Sequence, residues 1–152
     1  MKPLLTAATL VGFASVMVLA QSTNPLVGTW KLNVAKSKAP FKSGTTIVSA
    51  VGEGIKFSVD MEGTDGTKTH WEFTANYDGK DNPVTGNSPY GDTVAVTRVD
   101  ARTTQIVGKL KGKATTTHTI VVSADGKTRT SAAKGTDITG KPVDSVSFYE
   151  KQ

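Results

Sequence analysis

Two histidines, His70 and His118, are the side chains on which nucleophilic or metal chemistry would depend, because the chain has no cysteine. Each falls in a predicted strand, and no Gly-x-Ser-x-Gly turn adjoins either of them. His70 shares a face with Glu72, but that face is charged, so a solvated outer wall explains the pair better than a zinc site. We therefore expect no catalytic residue, no metal and no cofactor, and a protein that is not an enzyme.

The distribution of charge argues against a nucleic-acid partner. The formal net charge is +5, and basic and acidic residues alternate along the chain without forming a block. The densest basic run, from 109 to 113, has no aromatic residue on which a base could stack, and it is typical of the charged end of a hairpin.

The first twenty residues have the layout of a signal peptide. Lys2 precedes an uncharged apolar stretch from Leu4 to Leu19, which is shorter than the roughly 20 residues that cross a bilayer. Cleavage after Ala20 would leave Gln21 as the mature N-terminus, and 21–152 as a single domain. We expect a secreted or periplasmic protein without stable membrane insertion after cleavage; an uncleaved anchor is the alternative.

The composition of the remaining chain predicts an all-β fold. After residue 20 there are 14 Val and 21 Thr but three Leu, and β-branched side chains fit pleated surfaces better than helices. Apolar and polar residues alternate clearly in two neighbouring segments, which form a predicted hairpin around the turn at 63–66. The residues expected to face inward from this hairpin include Phe57, Val59, Trp71 and Phe73.

Nine strands follow from the alternation of residues and from the turn residues between the segments. They span 27–35, 44–51, 55–61, 67–76, 93–100, 104–110, 114–124, 128–136 and 143–151. Short strands joined by hairpins predict an antiparallel up-and-down β-barrel of about eight or nine strands, with an open sandwich as the alternative. The connector from Tyr77 to Asp92 is too long for a hairpin, so we expect a functional or mobile loop that carries Tyr90 toward any pocket.

Both ends of the mature chain resemble the calycins, the group that joins lipocalins, fatty-acid-binding proteins and avidins. Gly28-Thr29-Trp30 stands at the start of the first predicted strand, like the Gly-x-Trp motif of these families, and the ending 147–151, SFYEK, resembles the last strand of fatty-acid-binding proteins. The segments 77–80, 83–86 and 135–151 are similar to lipocalin-like proteins exported by bacteria. The resemblance implies a calycin-like barrel in which Trp30 closes one end.

The same resemblance implies which residues would meet a ligand. Tyr149 matches a Tyr that holds the ligand carboxylate in fatty-acid-binding proteins, whereas Ser147 stands where their Arg would be. We therefore expect neutral ligands to be preferred, unless Arg98 or Arg129 points inward and replaces that cation. The helix-turn-helix lid of that family has no counterpart, because Pro40 limits 33–43 to at most one helical turn.

The function that the sequence favours is binding of a small apolar or amphipathic molecule inside the barrel. The candidate ligand-binding residues are Trp30, Phe57, Val59, Trp71, Phe73, Tyr90, Arg98, Arg129, Ser147 and Tyr149. The alternative is a non-catalytic structural or interaction module of the cell envelope, whose barrel is filled by its own side chains. The oligomeric state is left open.

Overall fold

A computed structural model describes residues 23–152, which form a closed antiparallel β-barrel. The predicted signal segment, the cleavage point and Gln21 lie outside these residues. Each strand pairs with the next one along the chain, and β1 also pairs with β10, so the sheet has no free edge. The ten strands are β1 (Gly28–Leu32), β2 (Phe41–Val51), β3 (Gly54–Gly63), β4 (Lys68–Ala75), β5 (Asp78–Gly86), β6 (Thr93–Arg98), β7 (Thr103–Leu110), β8 (Lys113–Val122), β9 (Thr128–Thr136) and β10 (Pro142–Lys151).

The predicted all-β barrel is confirmed, and the open sandwich is wrong. The helical content between β1 and β2 is one short 3₁₀ turn, Val34–Lys36, which agrees with the limit of one turn set by Pro40. No helix in 23–152 has the length and apolar character of a membrane span.

The main difference from the prediction is β5, which occupies most of the segment expected to be a loop. Its side chains are almost all exposed, and its register against β6 shifts between Asp78 and Asp81. A strand that buries almost no side chain shows no alternation of apolar residues. It also contains Pro83 and three residues that are Gly or Asn, which are common in turns, so the sequence pattern indicated a loop. The loop proper is therefore short, from 87 to 92, and it still carries Tyr90.

The interior is built from alternate residues of each strand. Ile55, Phe57, Val59 and Met61 of β3 are buried, and β4 contributes Trp71 and Phe73 directly opposite two of them. The Phe57 and Phe73 rings stack with their centroids 4.9 Å apart, which is the cross-strand aromatic contact that stabilises antiparallel pairs. The period of two in the sequence thus places one apolar face inside the barrel.

Trp30 and the segment before β1 close one end of the barrel. Trp30 has no exposed surface, and its Nε1–H donates to the Leu26 carbonyl oxygen over 2.8 Å. Leu26 is also buried, and Asn24 donates to the Tyr77 hydroxyl over 2.7 Å. The expectation that the Trp of Gly28-Thr29-Trp30 fills the end of a barrel agrees with this packing.

Gly135 allows β9 to lie closely against β8, and its replacement tests this packing. Its φ is +136°, and a Cβ there would collide with the Thr115 carbonyl group. We expect Gly135→Ala to lower the free energy of unfolding by about 2 kcal/mol more than Gly126→Ala in a urea titration, because the added methyl group has no space. Gly126, in the turn before β9, also has a positive φ but open space around it, so its change costs only about 1–2 kcal/mol of backbone strain. Equal losses in the two variants would contradict the close approach.

Candidate ligand cavity

The barrel interior contains a cavity of about 80 Å³ that is partly open to solvent and has one apolar wall and one polar wall. The apolar wall comes mainly from β3 to β8 and contains aromatic and branched aliphatic side chains. Its members are Phe57, Val59, Met61, Trp71, Phe73, Val94, Ile106 and Ile120. Such a surface accepts the apolar part of a small molecule and excludes water from it.

The polar wall comes from β8, β9 and β10. Two cross-strand pairs of β9 and β10 point inward: Arg129 opposite Tyr149, and Ser131 opposite Ser147. His118 of β8 and Ser145 of β10 extend this wall toward the other end of the cavity. A guanidinium, hydroxyls and an imidazole can orient the polar group of a ligand whose apolar part lies against the opposite wall.

Arg129 is the one Arg or Lys that lines the cavity, within the described part of the chain, and its side chain is buried. The guanidinium carbon lies 4.3 Å from the centroid of the Tyr149 ring and 5.3 Å from that of the Trp30 ring. Burial lowers the pKa of Arg129 to about 10, so the group stays charged at neutral pH. Of the two arginines that could replace the missing cation, Arg129 points inward, because the alternation of β9 turns its side chain toward the cavity.

His118 and Tyr90 meet at the end of the cavity opposite Trp30. Their rings are edge to face with centroids 4.6 Å apart, and Tyr90 also meets the Trp71 ring at 6.0 Å. Burial lowers the pKa of His118 to about 4, with a smaller contribution from the Arg129 charge, so the imidazole is neutral at pH 7. Burial raises the pKa of Tyr90 well above its usual value, so its hydroxyl is also neutral.

The loop holds Tyr90 over the cavity through its backbone. The Thr115 hydroxyl donates to the Tyr90 carbonyl oxygen, and the Tyr90 amide donates to the Ser88 hydroxyl over 3.2 Å. The Ile138 amide donates to the carbonyl oxygen of Pro89, which ties the loop to the turn between β9 and β10. The backbone of Tyr90 is therefore fixed, and its ring lines this end of the cavity.

Eight of the ten residues predicted to meet a ligand line this cavity, and two do not. The eight are Phe57, Val59, Trp71, Phe73, Tyr90, Arg129, Ser147 and Tyr149. Trp30 packs beneath Arg129 as part of the closed end. Arg98 is exposed, and its guanidinium carbon lies 4.0 Å from the centroid of the Tyr77 ring, so it is not the replacement cation.

Sequence reasoning missed several polar residues of the cavity, of which His118, Ser131 and Thr46 are the most informative. In β8 the inward face reads Thr116, His118, Ile120 and Val122. Because Ile120 and Val122 are apolar, the alternation along β8 could have predicted that His118 points inward. Thr46 and Ser131 carry no such signal, because Thr and Ser occur on both faces of these strands.

The other histidine lies on the outer wall, as expected. His70 Nδ1 is 2.8 Å from an Asp60 carboxylate oxygen, and its Nε2 is 3.9 Å from a Glu72 oxygen. Within 23–152, no cluster of three or more His, Cys, Asp or Glu side chains is arranged to hold a metal ion. His118 and His70 face opposite sides of the barrel wall, so they do not converge.

Comparison with known proteins adds no relative: no protein-family model matches this chain, and no curated protein sequence matches it significantly.

Proposed function

We propose that the barrel binds one small amphipathic molecule in its internal cavity, and that it does so without catalysis. The observation that carries the proposal is the division of the cavity into an aromatic wall and a polar wall that contains the buried Arg129. A barrel filled only for stability would gain from apolar residues at these positions, since burying a charge without a partner is costly. The calycin resemblance of the two chain ends supports the same function.

The proposal extends to location. A chain with the predicted signal segment would carry this cavity in the periplasm or outside the cell, where a ligand-binding barrel meets small solutes. The mature domain would then contain 21–152, and all the residues of the cavity lie within it.

Native mass spectrometry of protein purified from its own host tests the binding function. We expect one small molecule per barrel, lost on denaturation. Ala133 lines the cavity, whereas Ala132 beside it on β9 is not part of the lining. Ala133→Leu should therefore remove the bound mass by filling the cavity, and Ala132→Leu should retain it. Absence of a bound molecule in the wild type, or equal amounts of bound molecule in the two variants, would favour the alternative, a structural or interaction module of the cell envelope.

A further inference from the structure

We infer that the cavity takes a short monocarboxylic acid, with its carboxylate at Arg129 and the end of its chain against Tyr90. This inference rests on the proposed function and specifies the class of ligand. It gives the two residues separate roles: Arg129 selects the charge, and Tyr90 limits the length.

The selection of charge follows from the surroundings of Arg129. Its Nε is buried without a hydrogen-bond partner, and no ion pair among residues 23–152 includes this side chain. No Asp or Glu lines the cavity either. The faces of Tyr149 and Trp30 offset part of the lost hydration, but they bring no negative charge. A bound monoanion would supply it.

A carboxylate fits this end of the cavity better than other anions. The planar guanidinium matches the two oxygens of a carboxylate, and the inward hydroxyls of Ser131 and Ser147 can donate to the same oxygens. A second negative charge would have no partner, because His118 is neutral at pH 7 and no other cation lines the cavity. The site is therefore suited to a single carboxylate.

The limit on length follows from the volume. A cavity of about 150 Å³ holds benzene in a well-studied case, whereas this one has about 80 Å³. That volume is too small for octanoate, which has ten non-hydrogen atoms against six in benzene, so it favours a short acid. The chain would run from Arg129 along Phe57, Phe73 and Trp71 toward Tyr90, which lines that end and whose backbone is held by Thr115 and Ser88.

Titrations of the folded protein with sodium acetate, butyrate and octanoate, followed by ¹H–¹⁵N NMR spectra, test both roles. In the wild type we expect acetate or butyrate to bind at least tenfold more tightly than octanoate. Tyr90→Ala should raise the affinity for octanoate at least tenfold, because it removes the ring that limits the length of the cavity. Arg129→Met should weaken butyrate about ten- to a hundredfold, as expected for loss of a hydrogen bond to a charged group.

Two controls distinguish a loss of binding from a loss of folding, and further outcomes distinguish a failure of this inference from a failure of the proposed function. Arg98→Met removes an exposed Arg and should leave every affinity unchanged, and Arg129→Met should not lower the melting temperature, because it removes a buried charge. Binding of 1-butanol as tight as that of butyrate would overturn the role of Arg129 while retaining an amphipathic ligand. Tighter binding of octanoate than of butyrate by the wild type would overturn the role of Tyr90. Absence of binding by every acid and alcohol would overturn the inference and count against the proposed function itself.

Discussion

Trp30→Ala is expected to lower the free energy of unfolding by about 3–5 kcal/mol, which is the usual cost of removing a large aromatic side chain from a core. Trp30 has no exposed surface, and it donates a hydrogen bond to Leu26 while it packs beneath Arg129. Its loss leaves a void at the closed end and an unpaired carbonyl group. The total free energy of unfolding of a domain of this size is about 5–15 kcal/mol, so the variant would be close to unfolding. Urea titration at pH 7 measures the effect.

A surface valine is the control for Trp30. Val99, in the turn after β6, is 62 % exposed, so Val99→Ala should change the free energy of unfolding by less than about 0.5 kcal/mol. Trp30→Phe should retain part of the stability, since it keeps an aromatic ring without the N–H donor. A loss below 1 kcal/mol in Trp30→Ala would contradict the role of Trp30 as the closure of the barrel.

The free energy of unfolding is expected to fall by about 2 kcal/mol between pH 7 and pH 5 because of His118. Its pKa in the fold is about 4, below the usual value of 6.5. The unfolded chain therefore binds a proton below pH 6.5 that the folded barrel binds only near pH 4. Stability is fully present above the unfolded pKa, and it is lost as the pH falls through this window. Urea titrations at the two pH values measure the difference.

The two histidine variants distinguish this source of pH dependence from others. His118→Leu should make the stability nearly equal at pH 7 and pH 5, because the titrating group is gone. His70→Gln changes the exposed histidine of the outer wall, so it should leave the loss of about 2 kcal/mol in place. If His118→Leu retains the full loss, the imidazole is not the group responsible, and its placement inside the barrel would be in doubt.

Strands in which apolar and polar residues alternate strongly could be predicted from the sequence, whereas β5, which lacks this alternation, could not. β3 and β4 alternate apolar and polar residues because one face is buried and the other meets water, so their bounds and inward residues followed from the pattern. β5 pairs with its neighbours through its backbone, while its side chains stay in solvent. Backbone pairing leaves no mark on the order of side chains, so β5 was predicted as a loop.

The sequence by itself determined the all-β class and the aromatic wall, because both depend on the types and local order of the residues. Only the tertiary structure decided which other polar residues join Ser147 and Tyr149 in the polar wall. In β9 a Thr, Ser or Ala stands at most positions, so its pattern does not distinguish the two faces. The register of β9 between β8 and β10 turns Arg129 inward, opposite Tyr149, and brings His118 to the same cavity. That register results from pairing between strands across the whole barrel, which no single segment of the chain encodes.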